Sequence, residues 1–202
     1  MTTPAPIRFY FDFSSPYSYL ASERIDALAE RHGRRVQWGP VLLGAIAKAL
    51  GTVTLTSQPG QAEYSIHDFA RSARFMDIPY THPANFPVST VTAARAYYWL
   101  HGQDCALARR FAHEIFRAYF ADGRNIADAQ VVLEIAAKVG AGGTAVETGM
   151  NDPAIKERLR AETDTALAAG IFGVPWIVVD KEPFWGADRL PQLERWLEKG
   201  GF

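Results

Sequence analysis

Strand-like texture occurs only at the two ends of this chain, and neither end can bury a core alone. Residues 7–13, IRFYFDF, alternate, with Ile7, Phe9, Phe11 and Phe13 on one side and Arg8, Tyr10 and Asp12 on the other. That period of two marks a strand. Helical spacing takes over at Pro16 and runs to Gly33, and RVQWGPV at 35–41 reads as a second strand. The strand texture returns only after Pro175, as WIVVD, a DKEP turn and PFWG, followed by the closing helix of ADRLPQLERWLEKGG. The segments are too short to fold separately, so they must pair into one sheet.

Residues 42–170 carry nearly continuous helical patterning. VLLGAIAKALG is a short helix, and YSIHDFARSARFMDI another, ended by Pro79. THPANFPVS is a proline-rich loop. STVTAARAYYWLHG, DCALARRFAHEIFRAYFADG and ADAQVVLEIAAKVG follow as helices. Asn151-Asp152-Pro153 opens a long one through ERLRAETDTALAAG, as an acidic cap followed by proline does. The expected architecture is α/β, a thioredoxin-like fold (β-α-β, then β-β-α) with a large all-helical insertion in the DsbA position. Residues 1–41 and 171–202 form the thioredoxin-like part, and 42–170 the insertion.

Composition narrows the function. There are 21 Lys and Arg against 22 Asp and Glu, and no basic aromatic strip, so nucleic acid and acidic membrane surfaces are not expected partners. The start, MTTPAPIRFYF, has no charged segment leading into a long apolar run, and no window is apolar enough to span a membrane. Cys105 is the one cysteine, so no intrachain disulfide forms. These points suggest a soluble cytoplasmic protein. They also exclude a dithiol oxidoreductase, which needs two cysteines. His32, His67, His82, His101 and His113 show no close ligand spacing, so no metal is expected. Cys105 reads as a small core residue, and Gly140–Gly143 as a loop.

Three stretches can carry chemistry. Ser15-Pro16-Tyr17-Ser18 stands at the strand-to-helix junction where thioredoxin-like redox proteins place Cys-Pro-X-Cys. Ser15 reads as a helix N-cap. A serine there cannot become a thiolate, but at the positive end of a helix it can donate a hydrogen bond to another molecule's thiolate. Ile171-Phe172-Gly173-Val174-Pro175 opens the third strand. In thioredoxin folds that proline is cis and faces the helix N-terminus, with the residue before it offering its backbone to a ligand; the alternative is a trans proline at a strand edge. In Trp185-Gly186-Ala187-Asp188-Arg189-Leu190, Asp188 either caps the last helix or helps hold an α-amino and α-carboxylate pair.

With these stretches in order, the chain resembles the 2-hydroxychromene-2-carboxylate isomerase family, relatives of kappa-class glutathione transferases. The D-F-x-S-P-[YF]-S-Y-L pattern is met by Asp12 through Leu20, F-G-V-P by 172–175 and W-G-x-D-R-L by 185–190. Weaker matches are FPVST at 86–90, FADGRNIAD at 120–128 and TDTALAAG at 163–170. The resemblance implies a cytoplasmic homodimer carrying out glutathione-dependent cis–trans isomerisation of a small aromatic-degradation intermediate. It implies that Ser15 holds the glutathione thiolate and that Val174, before Pro175, binds the glutathione cysteine through its backbone. Ala187 and Asp188 would hold the γ-glutamyl end. Phe13, Tyr17, Lys48, Phe86 and Trp185 are expected around the substrate. Thr52 and Gln61 stand where relatives often have an Asn and a Lys that help hold the glycine end of glutathione, and Ser89-Thr90 where many have Asn-Thr; Lys48 or Arg71 could replace the missing lysine charge. Two other readings share the site: a kappa-like transferase, whose product keeps the glutathione, and a non-enzymatic module that binds a thiol or peptide.

Overall fold

In a computed structural model, which describes residues 4–58 and 60–202, four strands form one sheet in the order β2-β1-β3-β4. Strand β1 (Ile7–Phe11) pairs in parallel with β2 (Val36–Pro40) and antiparallel with β3 (Trp176–Val179). Strand β4 (Glu182–Trp185) completes the edge, with Trp185 opposite Trp176. The two ends of the chain thus share one sheet, as the distribution of strand texture requires. Both N-terminal strands are shorter than expected. Asp12 and Phe13 already belong to the turn into α1 (Pro16–Arg31).

One face of β1 behaves as the alternation predicts. Ile7, Phe9 and Phe11 enter a large core together with α1 and α5 (Cys105–Phe120), where the ring of Phe11 lies 5.4 Å from that of Phe116. The other face is largely buried as well. Tyr10 is buried with Val41, Ile46, Ala166, Ile171 and Val174 in a second, smaller cluster. That face is covered by α2 (Leu43–Ala49) and α8 (Pro153–Ala168), so only Arg8 along β1 remains exposed.

Helices α3 (Gln61–Phe75), α4 (Val91–Gln103) and α6 (Ala129–Lys138) fall close to their expected places. Aspartate caps set several starts. Asp104, Asp128 and Asp152 accept backbone N–H bonds at the heads of α5, α6 and α8. Helix α7 (Thr144–Asn151) carries no strong sequence signal. It packs on α4 through Gly149, where a Cβ would stand 2.1 Å from the Trp99 ring. Close helix approach, not propensity, selects the glycine there. Helix α9 (Leu190–Lys199) closes the chain on the α1 side.

A polar clamp fixes α1 against α5. Glu23 accepts two bonds from Arg117, at 2.9 and 2.7 Å. His113 lies 3.4 Å from Asp26, which also accepts the Trp38 indole N–H at 3.2 Å. This clamp holds the helix whose first turn forms the site. No helix among the described residues is long and apolar enough to cross a membrane.

Candidate functional site

Ser15 is the N-cap of α1, and Pro16 occupies the first turn, where a missing N–H costs nothing. Its Oγ accepts from the Ser18 N–H at 3.1 Å. The same hydroxyl donates toward the Val174 carbonyl at 3.5 Å, the outer limit of a hydrogen bond. The Ser15 proton is therefore weakly held and free to turn toward a ligand. The Val174–Pro175 peptide is cis, as the thioredoxin pattern predicts, and the Ser15–Val174 contact joins residues 159 positions apart.

Gly173 has a steric reason. A Cβ there would lie 2.7 Å from the Trp185 indole nitrogen. Trp185 is half exposed and edges onto Phe172 at 4.7 Å, so the pair forms an aromatic rim beside the serine. Gly186, at φ +112°, donates its N–H to the Pro175 carbonyl at 3.0 Å and tucks under the Asp188 carboxylate. The F-G-V-P and W-G-x-D-R-L stretches are thus one structural unit.

Two openings lie beside the first turn of α1, and Ser15 lines the first of them. A cavity of about 410 Å3 is walled by Ser15, Tyr17, Phe69, Phe86, Phe172 and Trp185, with the segment 52–56 on its far side. A charged groove of about 840 Å3 runs between α1, α3 and the 185–191 turn, past Arg24, Arg31 and Asp188. Tyr17, Leu55, Val174 and Trp185 border both.

Tyr17 donates its hydroxyl proton to Asp68 at 2.6 Å. Burial first, and then the Asp68 bond and charge, hold this phenol well above its ordinary range, so it stays protonated. Burial pushes the Asp68 carboxyl up, but bonds from Tyr17 and Arg71 outweigh it and bring it below the usual value. Arg71 is committed to Asp68 and to the Tyr64 hydroxyl at 3.0 Å.

Beneath the site lies Asp12, 3% exposed. It accepts four bonds: the Ser14 N–H and hydroxyl at 2.8 Å each, the Thr90 hydroxyl at 3.0 Å and the Leu43 N–H at 2.8 Å. One carboxyl group therefore joins the first turn of the site to the heads of α2 and α4. Burial raises its pKa, with the four donors opposing the shift.

Several sequence expectations need correction. Phe13 is fully buried, 5.0 Å from the Phe116 ring, and lines neither opening. The turn into α1 rotates it inward. Lys48 is exposed on the last turn of α2 and also lines neither. Asp188 does not cap α9. A short 3-10 turn, Ala187–Arg189, precedes that helix, and the Asp188 side chain is largely exposed, 3.5 Å from Arg189. Ala187 is buried behind it. Cys105 is exposed at the head of α5, 3.6 Å from His101, rather than in the core. Thr52 lines the cavity, but Gln61 lies outside it, exposed at the start of α3. His32, Glu194 and Glu198, distant in sequence, lie within 4.8 Å of one another, though Glu194 already accepts from Arg31 at 2.6 Å. Sequence reasoning missed Asp68 and the 53–56 wall. Asp12 had one available signal, a carboxylate at the end of an apolar strand.

The DsbA-like thioredoxin domain family matches residues 6–198. Over 193 residues the chain is 32% identical to a 2-hydroxychromene-2-carboxylate isomerase of Sphingobium xenophagum, covering 95% of this chain and 97% of that one. It is 31% identical over 206 residues to glutathione S-transferase kappa 1 of Caenorhabditis elegans, covering 96% and 91%. A solved 2-hydroxychromene-2-carboxylate isomerase superposes with a TM-score of 0.86 at 28% identity, covering 96% of this chain and 95% of that one.

Proposed function

The chain belongs to the DsbA-like thioredoxin family and, within it, to the 2-hydroxychromene-2-carboxylate isomerases; on that footing we propose that it is a glutathione-dependent cis–trans isomerase of a conjugated intermediate from aromatic degradation. The observation that carries this reading is Ser15, whose loosely held hydroxyl at the head of α1 faces the cis Val174–Pro175 peptide while no sulfur atom of the described residues lines the cavity.

The residues present fit a bound thiol. The head of α1 offers a partial positive charge, and Ser15 offers a proton not firmly engaged elsewhere. The adjoining groove carries both signs of charge, as a zwitterionic peptide requires. Bound glutathione would supply a thiolate that adds reversibly to a conjugated double bond, letting it rotate as a single bond before the thiol leaves unchanged.

Ser15 donates to the sulfur and keeps it ionised. It is not a nucleophile, and its own oxygen stays fixed by the Ser18 N–H. Val174 presents its backbone beside the sulfur position. Ala187 and Asp188 border the groove where a γ-glutamyl group would lie. Tyr17 keeps its proton, donating it in a hydrogen bond to Asp68, and stands between cavity and groove.

Ser15→Ala tests the reading. Removing a donor aimed at developing or stabilised negative charge costs about 10²-fold or more in turnover. Glutathione-dependent isomerisation should fall by that order, with the far-ultraviolet circular dichroism unchanged. Full activity in the variant would overturn the role. A kappa-like transfer reaction is the second reading, favoured by the kappa-class relative. Product analysis separates the two, because only transfer consumes glutathione.

A further inference from the structure

Among the described residues, Asp12 is the only charged side chain that is buried. Burying a charge is unfavourable unless it is well bonded, so its partners show what it is kept for. Oδ1 accepts from the Ser14 N–H and hydroxyl at 2.8 Å each and from the Thr90 hydroxyl at 3.0 Å. Oδ2 accepts from the Leu43 N–H at 2.8 Å. Each oxygen thus faces an N–H, which can only donate, so the arrangement suits the ionised form.

The two oxygens serve different parts of the site. On the Oδ1 side, Asp12 closes the turn that ends at Ser15. Its side chain takes the Ser14 N–H, and its carbonyl takes the Ser15 N–H at 3.0 Å. That turn sets where the Ser15 hydroxyl stands at the head of α1. On the Oδ2 side, Asp12 holds the first N–H of α2, whose own N-cap, Leu42, makes no side-chain bond to it. Leu43 and Ala47 of α2 stand in the cavity wall. Thr90 braces the carboxylate from a third element, since its hydroxyl donates to Asp12 instead of capping α4. Asp12 itself lines neither opening.

We infer that Asp12 is a positioning residue: it locks the serine that holds the thiolate to the α2 wall of the cavity, and so fixes the approach of sulfur to electrophile. The inference rests on the proposed isomerase reading, with the sulfur beside Ser15 and the electrophile in the cavity. Addition needs the reacting atoms held about 3–3.5 Å apart, and a displacement of about 1 Å can lower the rate by about 10²-fold. Asp12 touches neither reactant and acts through Ser14, Ser15 and Leu43.

Asp12→Asn in the full chain tests this, because it keeps the shape and removes one acceptor. With the amide oxygen toward Ser14 and Thr90, the new NH2 group meets the Leu43 N–H, donor against donor, and pushes the head of α2 away. Turnover of a conjugated aromatic enone at saturating glutathione should fall at least about tenfold in kcat. Glutathione affinity, measured by calorimetric titration, should stay within about twofold, because the Ser15 turn keeps its bonds. A variant with a lower melting temperature and unchanged kcat would show a merely structural role and overturn the inference. A loss of glutathione affinity as large as the loss of kcat would overturn it too. Thr90→Val gives a second readout that does not depend on Asp12→Asn folding. It keeps the carboxylate and removes one brace, and kcat should fall at least about threefold; an unchanged kcat overturns the inference. If the wild-type chain turns over no enone with glutathione, the isomerase reading fails. Asp12 is then read from calorimetric binding of 2-naphthol to the cavity, which Asp12→Asn should weaken at least about threefold, and equal binding overturns the inference.

Discussion

Glu23→Gln removes one of the carboxylate charges that tie α1 to α5, the one paired with Arg117. Burial raises the Glu23 carboxyl, but His113 and Arg117 outweigh that and lower it from its ordinary 4.5 to about 2. At about 1.36 kcal/mol per tenfold change in proton affinity, the difference corresponds to about 3.4 kcal/mol. Arg117 is half exposed, so solvent screens the pair and about 2 kcal/mol is a fair expectation. The sign follows from the direction. A carboxyl lowered in the folded state contributes fully above pH 4.5, and that contribution is lost as pH falls toward about 2. Urea unfolding of wild type and variant measures it. With a slope on the order of 2 kcal/mol/M, the midpoint at pH 7 should fall by about 1 M with the slope unchanged. The gap should close progressively in a series from pH 5 to pH 2.5. A midpoint change under about 0.2 M at pH 7, or a gap that persists undiminished at pH 2.5, would refute the argument.

Two further outcomes are expected. Gly149→Ala would gain about 1 kcal/mol of helix propensity in α7, but its Cβ would lie 2.1 Å from the Trp99 ring, and overpacking of that kind costs about 1–3 kcal/mol. Net destabilisation should appear as a lower melting temperature, and a stabilised variant would mean that α4 and α7 part more easily than their packing indicates. Cys105 is exposed, so a thiol reagent such as dithionitrobenzoate should titrate one group per native chain without denaturant; a thiol that reacts only after unfolding would contradict its placement.

Much of this fold is written locally. The period-two run at residues 7–13, the Ser15-Pro16 start of α1 and the Asp152-Pro153 start of α8 depend on neighbours within one helical turn. Their identity survives without tertiary context, as does the rule that two coreless ends must share a sheet. The resemblance to known relatives also pointed to Ser15 and Val174-Pro175, which the fold places face to face. Phe13, Lys48 and Cys105 went astray because burial and facing depend on what packs against a residue, and composition does not record that.

The sequence alone therefore determines the order of elements, the helix starts and the serine in place of a thiol. The character of the site comes from contacts between distant segments. Asp68 reaches Tyr17 across 51 residues, and Thr90 reaches Asp12 across 78. Those contacts commit the hydroxyls and leave an uncharged cavity beside a charged groove. Hydrogen bonds and desolvation act through space over a few ångströms, so the charge of a pocket is settled only when remote parts of the chain are brought together.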